Sequence, residues 1–347
     1  MDWQEQLGNS VTSLDELRAR GFHLQADREA FPMRITPHLL SLMDRETGTC
    51  PIGRQFVPLP AELEWMPAEL EDPVDEDRQA VAGVLVHAYQ DRALLMASQV
   101  CTTYCRYCFR KRLVGRRPPL LTHDQLEQAL QYLEAHPEIR EVILSGGDPL
   151  VLTDSQLASL LRALRQRLGD RVFRIHSRVL STLPSRITED LVDLLEAHGV
   201  LYLVTQINHP REITPQTREA ARWLRKAGIV LANQAVLLRG VNDSVETMRE
   251  LCLSVYAIGI RPYYLFQCDY TRGTAHFRTT LQEGRAIIKG LEGRMSGPAV
   301  PRYAIDCPHI RKVLLTADYC TPRDDGTYLL RNPEGKELIY DEPRLIC

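Results

Sequence analysis

Three cysteines, Cys101, Cys105 and Cys108, fall within eight residues of the stretch "VCTTYCRYCFRKRLVGRR", and six basic residues stand among and behind them. A cubane iron–sulfur cluster normally takes four thiolates, and here the spacing C-x3-C-x2-C has no fourth cysteine nearby. Structural zinc asks for two CxxC pairs, or one CxxC with paired histidines, and neither follows. A loop wound around a [4Fe–4S] cluster with one iron left open accounts for three thiols and their tight spacing. The open iron can then bind a small ligand. The bland alternative is three unrelated loop thiols. The other six cysteines, Cys50, Cys252, Cys268, Cys307, Cys320 and Cys347, are scattered, and most read as buried, inert thiols. An odd count in a long chain does not suit a disulfide framework, so the cluster points to metal or redox chemistry.

Such thiols need a scaffold. From Arg92 to about Gly297, short apolar and β-branched runs alternate with amphipathic segments. The runs are "RALLMAS" (92–98), "EVILSG" (141–146), "VFRIHSRV" (172–179), "LYLVTQIN" (201–208), "IVLANQAVL" (229–237) and "RPYYLFQC" (261–268). Between the first two, Leu126, Leu130 and Leu133 recur at helical spacing behind Thr122 as N-cap. "TDSQLASLLRALRQRLG" and "TPQTREAARWLRKAG" each open on threonine and close on glycine, as capped helices do. Six strand–helix units in succession predict a parallel α/β sheet with right-handed crossovers, either open and doubly wound or a closed or partial barrel. No GxGxxG follows the first strand, which argues against a dinucleotide fold. Parallel folds carry their chemistry at the C-terminal ends of strands. The informative stretches lie there: the cysteines, then "SGGDP", "NHP" and "QCD".

The flanks differ in character. Residues 1–85 read as a helical, acidic, proline-broken segment ("ITPHLLSLMDRE", "VPLPAELEWMPAELEDPVDEDR"), packed on the central unit as a lid or interaction segment. Residues 86–295 form the central unit. Residues 296–347 read as a β extension with a hairpin turn near Asn332 to Gly335.

Over 347 residues, 44% hydrophobic and 25% charged residues describe a globular protein rather than a disordered one. A net charge of -3 lacks the basic footprint of a nucleic-acid binder. No apolar run of about 18 residues spans a membrane, and "MDWQEQLGNS" is unlike a signal peptide. The reading places the chain in the cytoplasm, with neither nucleic acid nor membrane as partner. Its only lysines are Lys111, Lys226, Lys289, Lys312 and Lys336, so chemistry that requires a primary amine has five candidates.

C-x3-C-x2-C with an aromatic before the last cysteine resembles the signature of the radical S-adenosylmethionine (SAM) enzymes. In that superfamily the SAM amino and carboxylate groups chelate the open iron. An electron from the cluster then cleaves SAM to methionine and a 5'-deoxyadenosyl radical. The fold implied is a full or partial (β/α) barrel, here a partial (β/α)6 barrel. "SGGDP", with Ser145, Gly146, Gly147 and Asp148, resembles the turn that receives the SAM ammonium. Its glycines let backbone approach closely, and Asp148 adds an anionic partner. "YCRYCFRKR", "LSGGDPL", "QINHPREITP", "NQAVLLRGVND", "PYYLFQCD", "HFRT" and "SGPAVP", in that order, look like the lysine 2,3-aminomutase family over roughly residues 30 to 343. Members move an α-amino group to the β-carbon, using pyridoxal phosphate (PLP) to carry the nitrogen.

The resemblance implies that Cys101, Cys105 and Cys108 ligate the cluster and that Arg110 pairs with the substrate carboxylate, a role suited to a bidentate guanidinium. Other basic residues of the loop would neutralise the cluster and phosphate, while Arg116 and Arg117 also read as a solvated basic loop. Arg178 and Gln234 match positions near SAM. Asp269 and Asp306 match the carboxylate pair that binds the distant ammonium of lysine. Two buried carboxylates together imply a cation between them or a shared proton. Glutamate-specific relatives need a cation or amide there, so the pair favours lysine, or arginine or ornithine. PLP needs a lysine. Lys226 and Lys289 precede glycines at helix ends, Lys336 occupies the hairpin turn and Lys111 belongs to the cluster loop. Lys312 remains, and the family places its PLP lysine there.

Three departures stand out. The family's lysine usually lies in a glycine-rich or "SKTP"-like context, and here the context is "PHIRKVLL". "HAYQDR" has Ala88 where a basic residue is expected at the PLP phosphate, although Tyr89 and Arg92 persist. The cysteine-rich, zinc-binding tail of larger members has no counterpart, and "GVNDS" has serine at a zinc-ligand position, so no zinc is expected. The shorter length resembles the branch that isomerises lysine for elongation factor P modification, which typically lacks the second aspartate. Four readings follow: a 2,3-aminomutase of a free amino acid, lysine to β-lysine ahead of arginine, ornithine or glutamate; that branch; a PLP-independent radical SAM enzyme; and a non-catalytic cluster-binding protein. The intact "SGGDP" argues against the last. An electron donor such as flavodoxin or ferredoxin and a homo-oligomeric state complete the expectations.

Overall fold

Prolines shape the beginning of the chain. Four short helices, α1 (Trp3–Gly8), α2 (Leu14–Ala19), α3 (Pro37–Leu42) and α4 (Gly53–Phe56), pack around their own apolar cluster, including Leu17, Ile35, Leu39 and Phe56. The stretch "VPLPAELEWMPAELEDPVDEDR" was expected to be helical and is not. It forms only 3-10 turns at Pro60–Leu63 and Asp77–Gln79, because prolines recur too closely to leave an i→i−4 ladder intact. The computed structural model describes residues 2–115, 120–308, 311–315, 319–325, 327–332 and 335–340. Arg116, Arg117 and Cys347 lie outside them.

Ten strands follow in one sheet, hydrogen-bonded in chain order: β1 (Ala80–Val81), β2 (Leu85–Tyr89), β3 (Arg92–Ser98), β4 (Glu141–Gly146), β5 (Val172–His176), β6 (Val200–Thr205), β7 (Val230–Leu237), β8 (Ile260–Gln267), β9 (Arg302–Cys307) and β10 (Arg311–Leu314). β3 through β9 are parallel, and β1, β2 and β10 are antiparallel additions at the edges. The connecting helices are α5 (His123–Ala135), α6 (Asp154–Leu168), α7 (Val179–Thr182), α8 (Glu189–Ala197), α9 (Pro215–Lys226), α10 (Val245–Ala257) and α11 (Leu281–Leu291). Three short strands, β11 (Cys320–Pro322), β12 (Tyr328–Arg331) and β13 (Glu337–Tyr340), form a small separate sheet.

A doubly wound sheet reverses its strand order partway, which places helices on both faces. Here the order never reverses. Crossovers of one hand therefore put every helix on the same face, and the sheet is a partial (β/α)6 barrel. Alternate residues, such as Val142, Leu144, Phe173 and Ile175, meet α5, α6 and α8 in the main core. Capping boxes at Thr122–Gln125 and Thr153–Gln156 start α5 and α6, and Gly169 ends α6 at φ +59°.

Two strands stop earlier than expected. β5 ends at His176 because the Asp148 carboxylate takes the Ser177 hydroxyl and the Arg178 N–H, both at 2.8 Å, and turns the chain into α7. β6 ends at Thr205 because the Asn233 side-chain amide replaces a neighbouring strand. It accepts from Ile207 N at 2.8 Å and donates to Ile207 O at 2.9 Å.

Candidate active site

The inward positions of β4, β5, β7 and β8 open onto a cavity of roughly 390 Å³. Its walls bring together every residue singled out in the sequence: Cys101, Cys105, Cys108, Ser145, Gly146, Gly147, Asp148, Arg178, Gln234, Arg110, Asp269, Asp306, Lys312, Tyr89 and Arg92. They come from elements more than two hundred residues apart in the chain.

The cysteine loop is fixed from two sides. The N-terminal segment holds it through Arg34 O, which accepts from the Thr103 hydroxyl at 2.6 Å, and through Gln55 O, which accepts from Arg106 N at 2.8 Å. The β4 turn holds it through backbone bonds from Gly147 N to Ser98 O at 2.6 Å and from Asp148 N to Val100 O at 2.8 Å. A Cβ on Gly147 would meet Val100 O at 2.5 Å, and one on Gly146, at φ +107°, would meet Ser98 O at 2.5 Å. The glycines thus let backbone approach backbone where the loop begins. Asp148 is buried, and its carboxylate is committed to Ser177, Arg178 N and Leu150 N. It is a positioning residue here.

None of the three thiols is in a disulfide. Burial, with Asp148 and the other two sulfurs nearby, pushes Cys101 well above the ordinary thiol range, and burial and Cys105 push Cys108 up to about 11. Crowded, desolvated thiols that resist ionising alone are what a polycationic centre converts to thiolates. Among the described residues no three ligand side chains converge on a point, as a single ion would require. A cubane asks less convergence, because each thiolate holds a different iron. The donor set fits the cluster.

Arg178 stands behind Cys105 with all five guanidinium N–H groups engaged. It donates to Cys105 Sγ (2.8 Å), Tyr107 OH (2.5 Å), Gln55 Oε1 (2.6 Å), Glu212 Oε2 (3.1 Å) and Gln206 O (3.1 Å). These bonds orient the Cys105 sulfur and Tyr107 and hold the guanidinium in the cavity wall.

The basic residues after the cysteines were expected to face cluster and phosphate. Most face carboxylates of the N-terminal segment instead. Arg106 and Glu62 form a buried bidentate pair. Arg112 meets Asp72 at 3.0 Å and Asp77 at 3.1 Å. Arg110 meets Glu76 through Nη2 at 2.6 Å and Nε at 3.0 Å, and its Nη1 meets Ser145 Oγ and Gly146 O, both at 3.2 Å. One Nη2 hydrogen is left. Lys111 lies 5.8 Å from the Phe31 ring, with burial pushing its amine down to about 8. Sequence reading missed these partners because pairing between segments distant in the chain leaves no local signal in either one.

At the far side, burial together with Asp306 and Glu76 pushes Asp269 up to about 8. Burial also raises Asp306, against the opposing influence of Lys312. The Lys312 ammonium rests over Tyr264 and Phe266, 4.5 and 4.6 Å from the ring centroids. Burial, with Arg92 and Arg174 nearby, lowers it against the pull of Asp306 and Tyr263. The expected glycine before the lysine is absent, yet Arg311 adopts φ +63°, a left-handed conformation usually left to glycine. Arg311 and Arg92 both lie over Tyr89, at 5.3 and 4.0 Å. Gln234 lines the wall from β7, where the β8 register shifts.

Residues 96–252 match the radical SAM superfamily, which the cysteine loop and the barrel already suggested. Its members are built on a [4Fe–4S] cluster and SAM. Over 99% of its length the chain is 37% identical to an L-lysine 2,3-aminomutase of Fusobacterium nucleatum subsp. nucleatum and 38% identical to one of Acetoanaerobium sticklandii, covering 82% and 84% of those proteins. It is 34% identical to a glutamate 2,3-aminomutase of Clostridioides difficile, over 99% of this chain and 84% of that one. The chain belongs to the lysine 2,3-aminomutase family of radical SAM enzymes. It is a 2,3-aminomutase, an isomerase acting on a small amino acid. No described helix is long and apolar enough to cross a membrane.

Proposed function

We propose that the chain converts free L-lysine to β-lysine, with Lys312 as the lysine that holds PLP. The observation that carries the substrate is the meeting of Asp269 and Asp306 in one cavity, where burial raises the proton affinity of both and Asp306 raises that of Asp269 further. Carboxylates so placed gain most from a bound cation, and the side-chain ammonium of lysine supplies one. A glutamate side chain would add a further carboxylate instead.

Cys101, Cys105 and Cys108 would hold the cluster, leaving one iron for SAM beside Ser145 to Gly147. When bound, cluster and SAM supply a hydrogen-abstracting carbon radical, and PLP supplies a carrier for the migrating nitrogen. Lys312 meets that carrier as an amine whose proton is already loosened by burial. Tyr264 and Phe266 give it a dry aromatic floor. Arg110 would take the substrate carboxylate in exchange for Glu76, which covers the same edge of the guanidinium. The electron comes from an external carrier protein of the flavodoxin or ferredoxin kind.

The test is anaerobic reconstitution with SAM, PLP and dithionite, screening lysine, arginine, ornithine and glutamate for β-amino products. β-Lysine is expected, and Lys312→Ala should abolish it. Turnover of glutamate but not lysine would overturn the substrate. Absence of 5'-deoxyadenosine with all four would overturn the catalytic reading.

A further inference from the structure

β5 carries two polar side chains that the reading above does not use. Phe173 and Ile175 are fully buried against the helices, so Arg174 and His176 point the other way, into the cavity. Basic side chains on the inner face of a central parallel strand are costly unless partnered. Arg174 is only half partnered. Its Nη2 meets Glu141 Oε2 at 3.0 Å, while its buried Nε has no hydrogen-bond partner among the described residues. The buried Nε2 of His176 has none either. Two neighbouring inward residues thus each present an unsatisfied nitrogen to one space.

The surroundings of that space are cationic. Arg174, Arg110 and Lys312 all act on His176, and with burial they hold it well below the ordinary imidazole range. Arg92 and Arg174 both act on Lys312. A neutral imidazole can still donate one hydrogen bond. Guanidinium suits a phosphate because its N–H groups lie in one plane at phosphate spacing. Arg92 begins β3 opposite Glu141 in register, and Arg174 lies one strand further on, opposite Ile143. Ala88, on β2 and three strands from Arg174, offers no charge.

We infer that Arg174 and His176 form, with Arg92, the subsite that holds the phosphate of PLP, supplying from β5 the positive charge that Ala88 does not supply from β2. This rests on the PLP reading of Lys312. It also turns the departure at Ala88 into a relocation of charge across the sheet.

The cluster-reconstituted chain is tested by ultrafiltration, measuring retained PLP and retained pyridoxal, which lacks the phosphate. Wild type should prefer PLP, and inorganic phosphate should compete with it. Arg174→Gln and His176→Gln should each narrow the preference by about tenfold, the worth of one charge-assisted hydrogen bond. Pyridoxal retention and iron content should not change. If both variants keep the full preference, the subsite is wrong. It is equally wrong if they leave PLP retention intact and instead raise the KM for lysine, which would assign these residues to the substrate carboxylate. If wild type retains neither compound, the PLP reading falls by itself. Phosphorus NMR of inorganic phosphate then decides the subsite: broadening lost in Arg174→Gln upholds it, and no broadening in wild type overturns it. Should Arg174→Gln fail to fold, His176→Gln carries the comparison, since its Nε2 has no described protein partner to lose.

Discussion

Asp306 on β9 and Lys312 on β10 are direct partners across an antiparallel pair, six residues apart in the chain. Side chains so paired share one face and lie within about 5 Å at Cβ. The ammonium and the carboxylate each bias the other toward its charged form. The residue proposed to hold the cofactor and one proposed to hold the substrate are thereby set by a single hairpin. A one-residue slip of β10 would turn Lys312 away from the face that carries Asp306.

Asp269 makes substrate affinity depend on pH. Its folded value of about 8 means that it carries a proton at neutral pH, and a bound ammonium would displace it. Lysine affinity should rise as pH approaches 8, with proton release seen by calorimetry in two buffers of different ionisation enthalpy. Stability runs the other way. Because the folded value lies above the unfolded one, the favourable contribution is complete below about pH 4 and is lost as pH rises to 8. Asp269→Asn should therefore unfold at a higher temperature than wild type at pH 9.

Glu76 both supports Arg110 and covers it. Removing one member of a buried pair leaves the other charge unpartnered, at about 3 kcal/mol. Glu76→Gln should lower the midpoint of thermal unfolding by several degrees. In protein that stays folded it should also lower the KM for lysine, because the competing carboxylate is gone. An unchanged KM would mean that Arg110 does not exchange partners.

Gly147→Ala places a methyl against Val100 O, where the backbone cannot retreat without moving Cys101. Iron per chain after reconstitution should fall by more than half. The rest of the fold, followed by far-ultraviolet circular dichroism, should persist.

Arg311→Gly should relieve the left-handed strain beside Lys312 and add about 1 kcal/mol to unfolding stability in denaturant titrations. A loss instead would mean that the contact of Arg311 with Tyr89 outweighs the strain.

The cysteine spacing, the strand–helix rhythm and the threonine caps were legible along the chain because each depends on near neighbours. Caps, turns and a period of two or 3.6 residues are local chemistry. The β5 pattern was also readable in principle: Arg174 and His176 alternate with Phe173 and Ile175, which puts two basic groups on a face expected to be apolar. The ends of β5 and β6 were not, since Asp148 and Asn233 stop them from other strands.

Sequence alone determined that three thiols would share a short loop at the end of a parallel strand, and it singled out the carboxylates and the lysine that complete the constellation. Folding in three dimensions decided which charges meet. Glu62 and Glu76 are brought onto Arg106 and Arg110 by the N-terminal segment, while Arg174 and His176 face the cavity without full partners among the described residues. The reason is physical. Whether a charge is solvated, paired or waiting for a ligand depends on what packs over it, and in this chain that covering comes from residues far away in sequence.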